Sequence, residues 1–310
     1  MQDETRRETF LIPGYQDRTV KEMVRHAIWR VIAPLPDRPY LAIKYRVIKG
    51  VWPSFRNPRT FSEKVQARKL YDRNPLYGML VDKAGVKAYV DAKLGPGYAI
   101  PQFWVGTDLG TVDWSRVELP VVVKPTHASA QGRFLYGRGD IDRLVADNPV
   151  PHWLTLDHSG FNREWAYSQV KPQVVIEAML QVEGGIPWDY RFHTFGGEVS
   201  HVEINMRIGD RGYACHYSPD WQKLPLWDPD YLPRYPGEVA RPKRLDEMLM
   251  VARTLGADLD FVRVDLYASD DWVRVGELTL YPGGGFEHFD PPEYDRIIGD
   301  RWTLGFSLPS

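Results

Sequence analysis

The chain holds a single cysteine, Cys215, among 310 residues. One thiol excludes an intramolecular disulfide and a cysteine-rich zinc site, and it fits a reducing compartment. A surplus of charge is also missing: 39 Lys and Arg stand against 41 Asp and Glu, for a formal net charge of −2 and a pI near 6.5. Bulk electrostatics therefore call for neither nucleic acid nor an anionic membrane, and any anion must be held by specific polar contacts. No apolar run approaches the roughly 20 residues of a membrane span, and the start MQDETRRE lacks the apolar stretch of a signal peptide. These absences predict a cytoplasmic protein without a transmembrane segment. Internal repeats and low-complexity tracts are missing too. What is present is a globular composition, 43% hydrophobic and 26% charged with 11 Trp and 17 Tyr, long enough for one large domain or two ordinary ones.

Along the chain, Val20, Met23, Val24, Ala27, Ile28, Val31 and Ile32 recur at helical spacing, and Pro34 and Pro36 end the pattern. Core packing is the default for such a helix; its basic face leaves peripheral membrane contact as the alternative. Thr60 with Glu63 three residues on is a capping-box pattern that predicts a helix over 60–72. A second helix is predicted from about Pro75 to Lys93. After Gly95-Pro96-Gly97 come the short β-rich runs YAIPQFWVG, LPVVVKP and GRFLYG, with Lys124 at the polar end of an apolar strand. Helical signals return around 140–170, followed by the strand QVVIEAML. DYRFHTFGG and EVSHVEINMRIG read as a hairpin turning at Gly196-Gly197. Residues 217–242 read as a long surface loop, and a helix is predicted near Leu245–Gly256.

The most informative segment is FVRVDLY-ASDD-WVRVGELTLYPGGGF, a predicted hairpin with acids in both apolar strands. Alternation puts Arg263 and Asp265 on one face, and Val275, Glu277 and Thr279 together on the second strand. Acids within apolar strands are costly unless paired or bound to a cation, so Asp265 and Glu277 point to a hard-metal site suited to Mg²⁺. The run Pro282-Gly283-Gly284-Gly285 is expected to offer backbone N–H groups to an anion. The alternative is a hairpin whose acids are solvated or paired with Arg263 and Arg274.

Five features stand in one order: VDKAGVK, VVVKPTHASAQG, VVIEAML, VRVDLY and GELTLYPGG. In that order the chain resembles the ATP-grasp superfamily, whose two α+β lobes grip ATP. More closely it is similar to the TupA-like ATP-grasp family, through TFSEKVQARKLYDRNPLY, LVDKAGVKAYV, REWAYSQVKPQVVIEAML, FVRVDLY and GELTLYPGGGFEHFDPPEYD, which together span residues 58–295. The resemblance implies an α+β ATP-grasp fold with an N-terminal helical extension over 1–56. A region leading into the ATP-grasp is expected over 57–118, a lid lobe over 119–176 and a metal-bearing C-terminal lobe over 177–310.

It also implies ATP and Mg²⁺ as cofactors. Lys83 and Lys124 match the two phosphate-contacting lysines. Glu177 matches the hinge position, with backbone groups of Ala178 and Leu180 on the adenine edge and Glu183 as a weaker ribose candidate. Asp265 and Glu277 match the magnesium carboxylates. Thr279 stands where many members have Asn, and Arg263 matches the arginine that stabilises charge on the transferring phosphoryl group. The loop over the phosphates departs from the usual glycine-rich pattern: His127-Ala128-Ser129-Ala130-Gln131-Gly132 keeps Ser129 and Gln131 as donors but trades glycine for alanine. His127 is open to a structural or a catalytic reading.

Acceptor-substrate candidates are Asp189, Arg191, His193, Arg207 and His216, with Arg191 suited to gripping a carboxylate or, alternatively, forming a cross-strand ion pair. Trp188, Tyr190, Trp221 and Trp227 are candidates for a stacking surface or for core. The implied activity is ATP-dependent ligation of a carboxylate to an amine through an acyl phosphate, on small-molecule, peptide or glycan-precursor substrates. The setting implied is cell-surface polymer or natural-product biosynthesis. A kinase on the same fold and a catalytically weak nucleotide-binding protein are the alternatives.

Overall fold

The computed structural model describes residues 20–129, 131–183 and 185–309. Among these, five helices lead: α1 (Val20–Ile32), α2 (Asp37–Lys49), α3 (Phe61–Tyr71), α4 (Tyr77–Val81) and α5 (Gly85–Leu94). In α1 the buried side chains are Trp29 and Ile32, whereas Val31 is 78% exposed, so the apolar stripe drawn from the sequence is displaced. The side chains of residues 20–24 and 26 lie outside the described set. Sequence reading gave no helix at α2, where Pro39 sits in the first turn; a proline there loses no intrahelical bond. The signal is the buried set Tyr40, Leu41, Lys44 and Tyr45, and Gly50 closes the helix at a left-handed φ of 78°. Thr60 and Glu63 form the expected capping box on α3.

The helix predicted over 75–93 is two helices. Asp82 leaves the helical region at ψ 115°, and its carboxylate accepts the Ala84 N–H at 3.0 Å, the local turn that Asp favours over helix interior. Its carbonyl then accepts the Val86 N–H at 2.9 Å, which starts α5. Lys83 sits in the break.

A four-stranded antiparallel sheet forms the small lobe, in the order β1 (Gln102–Gly106), β4 (Val174–Ala178), β2 (Val121–Pro125), β3 (Arg133–Leu135). Helix α6 (Arg138–Asp147) and the short α7 (Val150–Trp153) and α8 (His158–Asn162) follow β3. Val121, Val123, Leu135, Ile141, Leu144, Trp153, Val174 and Ile176 fill this lobe's core. Strand β1 therefore belongs to the small lobe, which starts ahead of the boundary drawn at residue 119. Helices α3 to α5 contribute Phe61, Val65, Tyr77, Leu80, Val86 and Val90 to the other lobe's core.

The large lobe is a six-stranded antiparallel sheet, β10 (Val273–Thr279), β9 (Val262–Ala268), β5 (Asp189–Phe195), β6 (Glu198–Ile208), β7 (Arg211–Tyr217), β8 (Lys223–Leu224). Gly196 and Gly197, at φ 56° and 84°, make the turn between β5 and β6, as NG-type hairpin geometry requires. Helix α9 (Leu245–Gly256) lies on one face of this sheet and α10 (Tyr294–Asp300) packs on α3. Residues 217–242 are less open than a surface loop, since Leu226 and Val239 are buried. Phe192, Val202, Ile204, Val264 and Leu266 point to α9, where Leu245, Met248, Val251 and Leu255 meet them. Each such side chain removed from water contributes about 1.5–3 kcal/mol. The alternate residues, Arg191, His193, His201, Glu203, Arg263 and Asp265, necessarily share the opposite face.

Strand β10 departs from simple alternation. Val275 pairs with Leu266 but Glu277 pairs with Asp265, so Gly276 is an unpaired bulge. Val275 consequently joins the core face, 4% exposed, while Glu277 and Thr279 move to the polar face opposite Asp265 and Arg263. The sequence pattern had put Val275 on the acid side.

Arg68 ties α3 to this hairpin. It is fully buried, donates to the carbonyls of Phe261 at 3.0 Å and Leu280 at 3.1 Å, and pairs with Asp260 and, at 3.6 Å, with Asp72. Arg68→Met leaves these acceptors without their donor, so a loss on the order of 3–5 kcal/mol is expected. Urea unfolding monitored by tryptophan fluorescence measures it.

Candidate functional site

The helix break carries Lys83 to the small lobe. Its backbone N–H donates to the Thr126 carbonyl at 3.1 Å and its Nζ to the Ala128 carbonyl at 2.8 Å. On the adjacent strands, Lys124 Nζ lies 2.5 Å from Glu177 Oε1, and Lys87 Nζ lies 2.8 Å from Glu177 Oε2. Burial alone would raise the Glu177 carboxyl, but Lys124 and then Lys87 hold it below the ordinary value. Burial lowers Lys83, against the pull of Glu277 first and of Glu177 among the others, so its ammonium senses acids of both lobes. Lys87 was missed in the sequence; its signal is its place in VDKAGVK, in the first turn of the helix that follows Lys83. Two ammonium groups on one carboxylate, with a third within its electrostatic reach, leave positive charge free for a polyphosphate.

The remaining nucleotide candidates sit less simply. The Ala178 N–H donates to the Pro101 carbonyl at 2.9 Å, so it is engaged within the small lobe. Leu180 is half-buried and Glu183 exposed. Ser129 is exposed and Gln131 half-buried, while His127 is buried, which lowers its imidazole. Ala130 lies outside the described residues.

On the large lobe, Arg263 grips Asp265 bidentately, Nε to Oδ1 and Nη2 to Oδ2 both at 2.7 Å, and its Nη2 also reaches Thr279 Oγ1 at 3.2 Å. Thr279 Oγ1 is 3.2 Å from Glu277 Oε1 and 3.5 Å from Asp265 Oδ2. Burial pushes the Asp265 carboxyl up, Arg263 opposing and Asp189 and Glu277 adding to the push. Burial would also raise Glu277, but Lys83 and then Arg263 outweigh it and hold the group at about 2. Both alternatives drawn for the hairpin, ion pair and oxygen-rich corner, thus coexist in one set of atoms. Among the described residues no group of three or more His, Cys, Asp or Glu is placed to hold a metal alone. Two carboxylates and a hydroxyl do fit Mg²⁺ of the kind completed by water and phosphate oxygens.

The PGGG run behaves differently from expectation. Gly283, Gly284 and Gly285 all have left-handed φ, 52°, 62° and 69°, which glycine adopts without steric cost. Gln66 Nε2 donates to the Gly284 and Gly285 carbonyls at 3.0 and 2.9 Å, and Lys69 also donates to Gly284. The last two glycines are therefore buried against α3, and only Gly283 lines the neighbouring cavity.

That cavity, about 260 Å³, opens on the polar face of the large sheet and includes Arg191, His193, Glu203, His216 and Arg263. Arg191 is not a free anion clamp: it donates to Asp189 at 2.8 Å, Glu203 at 3.2 Å and the Tyr231 hydroxyl at 3.2 Å. Arg191 faces Glu203 across β5 and β6, so the cross-strand ion pair is the geometry adopted. Arg207 is exposed and donates to the Gly209 carbonyl at the hairpin end, outside the cavity. Of the four aromatic candidates only Trp227 lines it; Trp188 and Tyr190 pack in the large core and Trp221 stacks on Tyr217 at 4.7 Å. Glu203, Tyr231 and Glu287 are lining residues that alternation on a single strand could not reveal.

His193, His201 and His216 run across this face, with ring centroids 4.2 and 5.7 Å apart along the series. Burial holds all three below the ordinary imidazole value, His193 at about 4. Unfolded, each binds a proton near pH 6.5; folded, it does not until well below that. Their share of stability is therefore complete above about pH 6.5 and lost as pH falls toward the folded values. The unfolding free energy is expected to drop from about pH 6.5 to about 5. His201→Gln should flatten that slope by up to about 1.4 kcal/mol per pH unit, read from urea titrations at each pH.

No curated protein sequence matches this chain. Among solved structures it is similar to D-alanine–D-alanine ligase from Bacillus anthracis, at 16% identity and a TM-score of 0.46 over 72% of this chain and 66% of that one. It is also similar to an ATP-grasp ligase, PsnB, complexed with a precursor peptide and AMPPNP, at 15% identity and a TM-score of 0.37 over 85% and 66% of the two chains. An N5-carboxyaminoimidazole ribonucleotide synthetase, in its ADP complex, aligns at 11% identity and a TM-score of 0.41 over 77% of this chain and 52% of its own. The chain thus spans about two thirds or less of each of these proteins. The TupA-like ATP-grasp family profile matches residues 63–303, a stretch holding both lobes, the lysines and the acid corner: the chain belongs to the TupA-like ATP-grasp family.

Proposed function

We propose that the protein is an ATP-dependent carboxylate–amine ligase working through an acyl phosphate. The observation that supports this most is the pairing of Lys87 and Lys124 with Glu177 at one lobe, with Lys83 in electrostatic reach both of Glu177 and of Glu277 at the other lobe. In this reading the lysines hold the ATP phosphates, and Glu177 keeps Lys87 and Lys124 in position. Asp265, Glu277 and Thr279 would hold Mg²⁺, which would supply charge neutralisation on the phosphate oxygens. Arg263, fixed by its two bonds to Asp265, stabilises charge on the transferring phosphoryl group. A substrate carboxylate oxygen bonds to the γ-phosphorus as the bond to ADP breaks. An amine then displaces phosphate from the acyl carbon to give the amide. Positioning and charge stabilisation supply the catalysis, with no covalent enzyme intermediate. The substrate classes are a small-molecule, peptide or glycan-precursor acid and an amine. The family likeness supports cell-surface polymer or peptide natural-product biosynthesis as the setting, by analogy alone.

Calorimetry is expected to detect Mg·ATP binding. In a screen of acid–amine pairs, ADP and free phosphate should be released together and only when both co-substrates are present. Glu277→Gln and Asp265→Asn should each lower that turnover by roughly 100-fold or more. A stable phosphorylated product released without amine would sink the ligase reading in favour of a kinase.

A further inference from the structure

The cavity on the sheet's polar face has an uneven charge. Four carboxylates line it, Glu203, Asp228, Asp230 and Glu287, against two guanidinium groups, Arg191 and Arg263. Both guanidinium groups are engaged by acids already, Arg191 by Asp189 and Glu203 and Arg263 by Asp265. Its three histidines are held neutral by burial. Asp230 has His288 at 2.7 Å. Neither Asp228 nor Glu287 has a cationic side chain within ion-pair distance among the described residues, and the Glu287 carboxylate accepts no hydrogen bond from them.

Two further observations mark this as a binding site rather than a solvated patch of acid. His193, 4% exposed, leaves both ring nitrogens without a hydrogen bond, with Glu203 Oε2 at 3.8 Å, and His216 Nδ1 is unpartnered as well. Buried polar atoms of this kind are uncommon unless something else satisfies them. The cavity roof is also built rather than loose. Trp227 and Asp290 exchange backbone bonds at 2.9 and 2.8 Å, joining the connection between β8 and α9 to the segment after the glycine run. The Trp227 indole N–H donates to the Leu232 carbonyl at 2.7 Å, which fixes the ring. Trp227, Tyr231, Phe286 and Phe289 give that roof aromatic faces, which attract cations and repel anions.

We propose that this cavity binds the primary ammonium end of an amino-acid-sized substrate, between the Glu287 and Asp228 carboxylates and beneath the aromatic roof. Its volume, near the lower limit for small-molecule sites, admits one such group rather than a polymer segment. Burial, reinforced by Glu203 and opposed by Arg263, raises the Glu287 carboxyl to about 7; a bound ammonium relieves that penalty. The inference rests on the ligase reading, which it deepens by giving the amine co-substrate a place. Arg263 is common to the cavity wall and the acid corner, so the ammonium end lies beside the phosphoryl-transfer end.

The test uses the full chain and matched probes: isoamylamine, phenethylamine and tyramine, all cations at neutral pH, against isovalerate and 3-phenylpropionate, their anionic counterparts. Saturation-transfer NMR titrations are expected to show saturable binding of at least one amine and of neither acid. Glu287→Gln should weaken the amine at least tenfold with unchanged thermal unfolding. Asp228→Asn should weaken it too, and serves as the second variant if Glu287→Gln does not fold. The proposal is overturned if no amine binds, if the acids bind as well as the amines, or if both variants bind like the parent. Mg·ADP binding in the same samples separates the two readings. Amine binding without nucleotide binding leaves the cavity assignment standing and removes the ligase; nucleotide binding without amine binding does the reverse.

Discussion

Everything on the polar face of the large sheet depends on one electrostatic constraint: ions taken out of water must meet their partners at fixed strand positions. Arg263 answers Asp265 along the same strand, and Arg191 answers Asp189 along its strand and Glu203 across the ladder. Leaving any one of these charges alone costs on the order of 3–5 kcal/mol. The register of β9, β5 and β6 is thereby pinned from both sides, by packing against α9 below and by charge above. The same arrangement explains why this face is not a general anion trap. Its guanidinium groups are neutralised internally, and the surplus positive charge sits instead around Glu177, which pairs with Lys87 and Lys124 and has Lys83 within electrostatic reach.

Helix α3 belongs to the same network. It faces the hairpin and the glycine run with three long polar side chains, Gln66, Arg68 and Lys69, all essentially buried. Through backbone carbonyls they fix where β9 begins, where β10 ends and how the chain turns at Gly284. A side chain at Gly284 or Gly285 would meet Asn162 or Gln66 at 2.7 or 2.5 Å, so the run is glycine for space as well as for φ. Lys83 sits at the other end of this helical layer, placed by the Asp82 turn.

The sequence was most legible where one physical signal acted alone. Thr60 and Glu63 announced a helix start, and Gly196-Gly197 a hairpin. The order of lysines, Glu177 and paired acids announced two lobes. It was misleading where a second effect intervened. Asp82 interrupts a segment whose apolar pattern continues through it. Pro39 hides α2, and Val31 fits the helical period yet stays in solvent because Trp29 takes the buried side. Alternation along one strand could propose Arg191 but not its partner Glu203, since cross-strand neighbours depend on a register that no local pattern encodes. The cavity roof, assembled from loops some sixty residues apart, lay beyond any local signal for the same reason.

Gly276 gives the hairpin an unusual tolerance. Because the strand resets its phase there, after the turn and before Glu277, the two halves of β10 answer to different rules. The half before the bulge only has to keep hydrophobic residues in the large-lobe core, and the connection over 269–272 can change length without disturbing Glu277. The three strand residues that follow, Glu277 to Thr279, have no such freedom. Gaining or losing one of them would move Glu277 out of its place opposite Asp265, turning its charge toward the hydrophobic core and a hydrocarbon toward the polar face. Natural variation in this hairpin should therefore accumulate on the turn side of Gly276 and be all but absent beyond it.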